Sequence, residues 1–393
     1  MHLSDSLNRL GTETAFSVLA RAKQLEAEGR NIIHLGIGAP DFDTPEHIKE
    51  ACAKALRDGH TAYCQAQGLP ELRDSCARYL SRTRGIEVKG DNVVITPGAK
   101  PFLGYAVMAT CNPGDEVIYP DPGFPIYESV IRYFGATPVP LPLSEDQGFA
   151  FEPSDLADRL SPATRLVILN SPANPTGGVI EPSKMAEVAQ VLEGSDTWIL
   201  SDEVYSEMVF DGEHASIASY GDLAERTILV DGFSKTFAMT GWRLGYAAVP
   251  EALVEPITRL IINTVSCTPP AMQLAGVAAL EGPWDEVRAM VAEFERRREI
   301  VVEGLNSLPG VHCIQPKGAF YAFPNVSGTG LSDRELAHLA LEQAGVAVIS
   351  GTAFGANGEG FLRVSYANTV ENIQAGVEAL RALLVDSAAV SSA

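Results

Sequence analysis

The apolar positions of the chain change their period twice along its length. Residues 13–29 place Phe16, Leu19, Ala20, Ala22 and Leu25 at helical spacing and stop at Gly29, which predicts an amphipathic helix. The short apolar run 32–35 follows, broken by Gly36-Ile37-Gly38-Ala39-Pro40. Two glycines around one residue let a backbone pass close to a ligand or to a neighbouring strand, and a lone GxG reads as the structural one of the two. Thr44-Pro45-Glu46-His47 reads as a capping residue and a proline opening a helix to Arg57. Residues 61–68 have no period and read as a loop, and 69–82 read as another helix.

From residue 93 onward, short β-branched runs alternate with helical ones. The predicted strands are 93–96, 116–119, 137–140, 165–169, 198–201, 227–230 and 245–248, and helices are predicted at 102–110, 126–133, 183–192 and 251–262. This alternation predicts an α/β fold, a mostly parallel seven-stranded sheet with helices on both faces. The direction of the last strand stays open. After about residue 284 the pattern changes again, with a long helix over 284–305 carrying the charge run Glu293–Glu299. A run with both signs reads as a solvated face. Strand-like 311–314, 319–323, 346–349 and 361–366, a helix over 333–344 and a closing helix from Val370 complete the chain, with fraying expected from Ser387. The expected division is an N-terminal arm that forms part of a small domain (1–45), a large domain (46–284) and a small α+β domain (285–393).

Composition narrows the class of partner. The chain has 393 residues, 46% apolar and 20% charged, which is ordinary for a folded globular enzyme. A net charge of -21 argues against nucleic acid or an anionic membrane as partner. An anionic substrate must therefore be met by a few locally placed cations. No apolar run is long enough to span a bilayer, and Met1–Asp5 lacks the basic-then-apolar order of a signal peptide. Six scattered cysteines without a CxxC pair read as reduced thiols, with no metal site. The expected location is the cytoplasm.

In open α/β sheets, ligands bind beyond the carboxyl ends of the strands, and polar residues gather there repeatedly. After 93–96 comes Pro97-Gly98-Ala99-Lys100, opening a helix whose free N–H groups suit a phosphate, although the GxxxxGK[ST] pattern is missing. After 116–119 comes Phe124, an aromatic face. After 165–169 come two amides, Asn170 and Asn174, in a proline-stiffened loop. After 198–201 come Asp202 and Tyr205. After 227–230, Asp231-Gly232 read as a strand stop, followed by Ser234, Lys235 and Arg243. A partly desolvated lysine is a better nucleophile toward a carbonyl. Each residue alone has a structural explanation. Together they describe a flat, phosphorylated aromatic aldehyde, pyridoxal 5′-phosphate.

On these residues the sequence resembles the class I, fold-type I aminotransferases, in their prokaryotic aspartate and aromatic branch. The likeness runs through Gly38–Pro45, Asn174–Gly177, Ser201–Tyr205, Ser234–Tyr246, Pro316–Tyr321 and Leu362–Tyr366. The resemblance implies that Lys235 holds the cofactor aldehyde and shuttles a proton, that Asp202 pairs with the ring nitrogen, and that Tyr205 and Asn174 bond the ring's phenolic oxygen. It implies that Phe124 stacks on the ring. Gly98, Ala99, Lys100, Ser234 and Arg243 would bind phosphate, joined by Tyr63 from the partner subunit of a homodimer. Arg363 and Gly38 would meet the substrate α-carboxylate, with Phe16 at the distal end. Two departures stand out: Gly232 replaces a serine found in some relatives, and Ala15 and Phe16 lie where acidic-substrate relatives carry a threonine, although Lys100 matches the lysine that helps those relatives recognise a distal carboxylate. The implied reaction moves an amino group from an L-amino acid to a 2-oxo acid. The same cofactor also serves carbon–sulfur lyases and aminocyclopropane-carboxylate synthases that share these motifs.

Overall fold

A computed structural model describes residues 2–391. Its first strand, β1 (Ile33–His34), is short. The next seven are β2 (Val93–Thr96), β3 (Glu116–Asp121), β4 (Thr137–Pro142), β5 (Thr164–Asn170), β6 (Trp198–Asp202), β7 (Thr227–Gly232) and β8 (Gly245–Ala248). They form one sheet in the order β2-β8-β7-β6-β5-β3-β4. Every residue of β2, β7 and β8 is buried, as a sheet covered on both faces requires. β8 is antiparallel to both β2 and β7, whereas β3 to β7 pair parallel. The connection from β7 to β8 holds only the single-turn helix Phe233–Thr236, so the chain folds back on itself instead of crossing the sheet.

Four further short strands follow: β9 (Tyr321–Ala322), β10 (Val346–Ala347), β11 (Ile349–Ser350) and β12 (Leu362–Ser365). β11, β12 and β9 make a three-stranded antiparallel sheet, and β1 pairs parallel with β10. The β1–β10 pair joins the N-terminal segment to the C-terminal part of the chain. A separate core of Phe294, Phe320, Tyr366 and Leu380 lies under this smaller layer. No helix among the described residues is long and apolar enough to cross a membrane.

Several expectations are corrected. The helix Pro270–Glu281 was not visible in the sequence pattern because it is apolar nearly all round. It packs on the helices Glu46–Arg57 and Pro70–Arg84, and a Cβ at Gly276 would approach Leu244 to 2.7 Å. The segment 311–314 is not a strand; its one ladder contact is the bridge His312–Asn325. The charge run on the helix Asp285–Asn306 is only half solvated. Arg297 and Arg298 are buried, the first paired with Asp41 and the second with Asp211. Thr44 does not cap the next helix, because its hydroxyl donates to the carbonyl of Ala238 at 2.8 Å. The closing helix is helical to Ser391, past the expected fraying point at Ser387, and Ser392 and Ala393 lie outside the described residues.

Candidate active site

Register places the chemistry. Asn170 stands opposite Asp202 at the carboxyl ends of β5 and β6, and Asp202 opposite Val230 of β7. Asp231 and Gly232 continue β7 and do not turn out of it, which corrects the expected strand stop. The turn Phe233–Thr236 then projects Lys235 into a cavity of about 670 Å³. Phe233 and Thr236 are buried on either side and anchor that turn.

Lys235 Nζ donates to the carbonyl of Gly38 at 2.5 Å and lies 5.8 Å from the ring centroids of Tyr205 and Phe320. Burial, helped by the charges of Arg363 and Arg243, lowers its pKa to about 8. Gly38 has no room for a side chain: a Cβ there would fall 1.9 Å from the hydroxyl of Tyr321. Asp202 is buried and its Oδ2 accepts from the hydroxyl of Tyr127 at 2.7 Å. Burial raises its pKa to about 6, outweighing the hydrogen bonds from Tyr127 and the Val204 N–H. The hydroxyls of Tyr205 and Tyr321 are 2.7 Å apart.

Arg363, on β12, is buried between the faces of Tyr321 and Phe354, each 4.7 Å from its guanidinium carbon. It donates to Asn174 Oδ1 at 3.0 Å and to the carbonyl of Gly36. Its Nε is buried with no partner among the described residues, an unmet donor that suits an incoming anion. At the other end, Ala99 and Lys100 precede the helix Pro101–Thr110. Arg243 adopts the left-handed region, φ 53°, and its guanidinium packs over Gly98, where a Cβ would come within 2.3 Å of Nη2. Gly245 likewise admits the Gly98-Ala99 turn, since a Cβ there would sit 2.3 Å from the N atom of Ala99.

All the predicted site residues except Gly98 and Tyr63 line this cavity. Gly98 lies behind Arg243. Tyr63 is 89% exposed and does not line this cavity. Tyr127, Tyr321, Asn170 and Glu13 also line it and were given no role from the sequence. Tyr127 falls three residues after Phe124, nearly one helical turn, which is the signal that could have found it. Tyr321 ends a motif already noted and Asn170 opens another, but nothing in the pattern marks Glu13.

The donor set fits pyridoxal 5′-phosphate: an amine of lowered pKa, a buried carboxylate, paired phenols, a helix N-terminus with an arginine, and a second arginine with an unused donor. The fold and cavity are those of a fold-type I pyridoxal-phosphate enzyme with a smaller second domain. The model of the aminotransferase class I and II family matches residues 30–380, and the chain belongs to that family as a pyridoxal-phosphate-dependent aminotransferase. An aspartate aminotransferase of Pyrococcus horikoshii is 41% identical over 356 residues, 90% of each chain. A probable aspartate/prephenate aminotransferase of Aquifex aeolicus is 39% identical over 97% of this chain and 98% of its own. The solved aspartate aminotransferase of Rhizobium meliloti superposes with a TM-score of 0.93 at 34% identity, covering 98% of this chain and 99% of its own.

Proposed function

We propose that this cavity takes the amino group from an L-amino acid, releases the 2-oxo acid product, and then passes the group to a second 2-oxo acid. The observation carrying this reading is Arg363: a buried guanidinium whose Nε lacks a partner among the described residues, in the same cavity as an amine with pKa about 8. Bound pyridoxal phosphate supplies an electron-withdrawing ring for the bond to substrate Cα. Arg363 grips the α-carboxylate, a task for parallel donors. Lys235 Nζ takes the Cα proton and returns it on the other side of the transfer. Asp202, ionised by the cation it meets, keeps a proton on the ring nitrogen. Tyr205 and Asn174 orient the phenolic oxygen, Phe124 covers the ring, and Ser234, Arg243 and the N–H groups of Ala99 and Lys100 hold the phosphate. The names of the relatives, which include an aromatic-amino-acid aminotransferase of Thermococcus litoralis, suggest aspartate, prephenate and aromatic substrates. A panel of L-amino acids mixed with holoenzyme tests this: some should bleach the lysine-bound cofactor absorbance and yield a 2-oxo acid. Pyruvate and ammonia from one substrate, with no 2-oxo acid required, would overturn it.

The exposed ring of Tyr63, which does not line the cavity of its own chain, supports a homodimer in which it reaches the neighbour's phosphate site. Sedimentation equilibrium should give the mass of two chains, and a monomer mass would sink this. The six cysteines are all free thiols, which supports a reducing compartment, the cytoplasm.

A further inference from the structure

The cavity holds two differently arranged cations in the regions a substrate must fill. Arg363 has no carboxylate partner among the described residues; the neutral Asn174 amide and the Gly36 carbonyl hold it. Lys100 is arranged in the opposite way. Its ammonium forms an ion pair with Glu13, the residue just before the helix Thr14–Ala27, joining segments 87 positions apart. The Glu13 side chain is only 16% exposed. The same ammonium lies 5.3 Å from the ring centroid of Phe124 and 5.8 Å from that of Phe16, a geometry that favours aromatic faces around a cation. Ala15 and Leu19 complete this wall.

One cation thus has no carboxylate partner among the described residues, and the other, 42% exposed, is already paired with Glu13. We propose that Glu13 is a specificity residue: by occupying Lys100, it makes the outer half of the cavity select aromatic and other apolar side chains over side chains ending in a carboxylate. The inference rests on the reading that substrates enter with their α-carboxylate on Arg363. A distal carboxylate must either draw Lys100 away and leave Glu13 unpaired, or lie beside Glu13 as a like charge. A phenyl group leaves the pair intact and packs against the ring of Phe16.

Two unreactive ligands isolate the distal group: maleate and 3-phenylpropanoate each bring one carboxylate for Arg363, and only maleate brings a second. Calorimetric titration of holoenzyme should show 3-phenylpropanoate binding about tenfold more tightly than maleate. In Glu13→Gln, which keeps shape and removes charge, maleate should tighten about tenfold while 3-phenylpropanoate stays within about threefold. Adding Lys100→Met to that variant should erase the gain. If Glu13→Gln leaves the ratio unchanged, or weakens maleate, the role of Glu13 is refuted while the site reading stands. If neither ligand binds the wild type, or if Arg363→Lys weakens neither, the site reading itself fails and takes this inference with it.

Discussion

Lys235→Ala is expected to lower amino transfer by about 10⁴-fold or more, because in the proposed reading it removes both the covalent anchor and the proton carrier. Single-turnover mixing of the variant with its best amino acid measures this, and full turnover with bound cofactor would overturn the assignment. The same side chain sets a pH dependence. An ordinary lysine near 10.5 is neutral at pH 7 in only about 3 molecules in 10⁴. Burial and two nearby guanidinium groups bring Lys235 to about 8, so about one molecule in ten is neutral at pH 7. The neutral amine attacks the aldehyde. The rate at which cofactor-free protein captures pyridoxal phosphate should therefore climb about tenfold per pH unit below 8 and flatten above it. A rise continuing to pH 10 in stopped-flow absorbance would show that the lysine is not perturbed.

What made this site legible was its position in the chain. Each strand of the central sheet except β8 holds β-branched residues followed by punctuation, and the polar residues that follow stand in sequence where they stand in space. Lys235, Asp202, Tyr205 and Asn174 were found that way. Arg363 carried no such signal and came only with the resemblance, because it sits on β12 of the other layer. Glu13 escaped because its meaning lies in a partner 87 residues away. Arg297 and Arg298 were misread for the same reason: a charge run looks solvated until Asp41 and Asp211 arrive from other segments. Asp231 looked like a strand stop because Asp-Gly usually is one. Here it stays in β7 because a buried arginine meets it.

That arginine marks the second large effect. Arg84 is buried with its Nε 2.7 Å from Glu203 Oε2 and its Nη2 2.9 Å from Asp231 Oδ2. Glu203 follows Asp202, and Asp231 precedes Lys235 by four residues, so this cluster fixes the ends of β6 and β7. Burial would raise both carboxyls. At Glu203 the charges of His214 and Arg84 outweigh it and hold the pKa to about 2, whereas at Asp231 burial prevails and the pKa rises to about 7. Arg84→Met leaves both carboxyls without their guanidinium and should cost about 3–5 kcal/mol in urea unfolding. The sign of its pH dependence follows from Asp231. A carboxyl raised above its unfolded value binds a proton more tightly in the folded state, so stability falls as pH rises toward the folded pKa. Removing Arg84 raises that pKa above 7, so the wild-type protein stops losing stability there and the variant continues. The deficit of Arg84→Met should be larger at pH 8 than at pH 6, and adding Asp231→Asn should recover part of it at pH 8. Equal deficits at the two pH values would mean that Asp231 does not take up the proton when its guanidinium is lost.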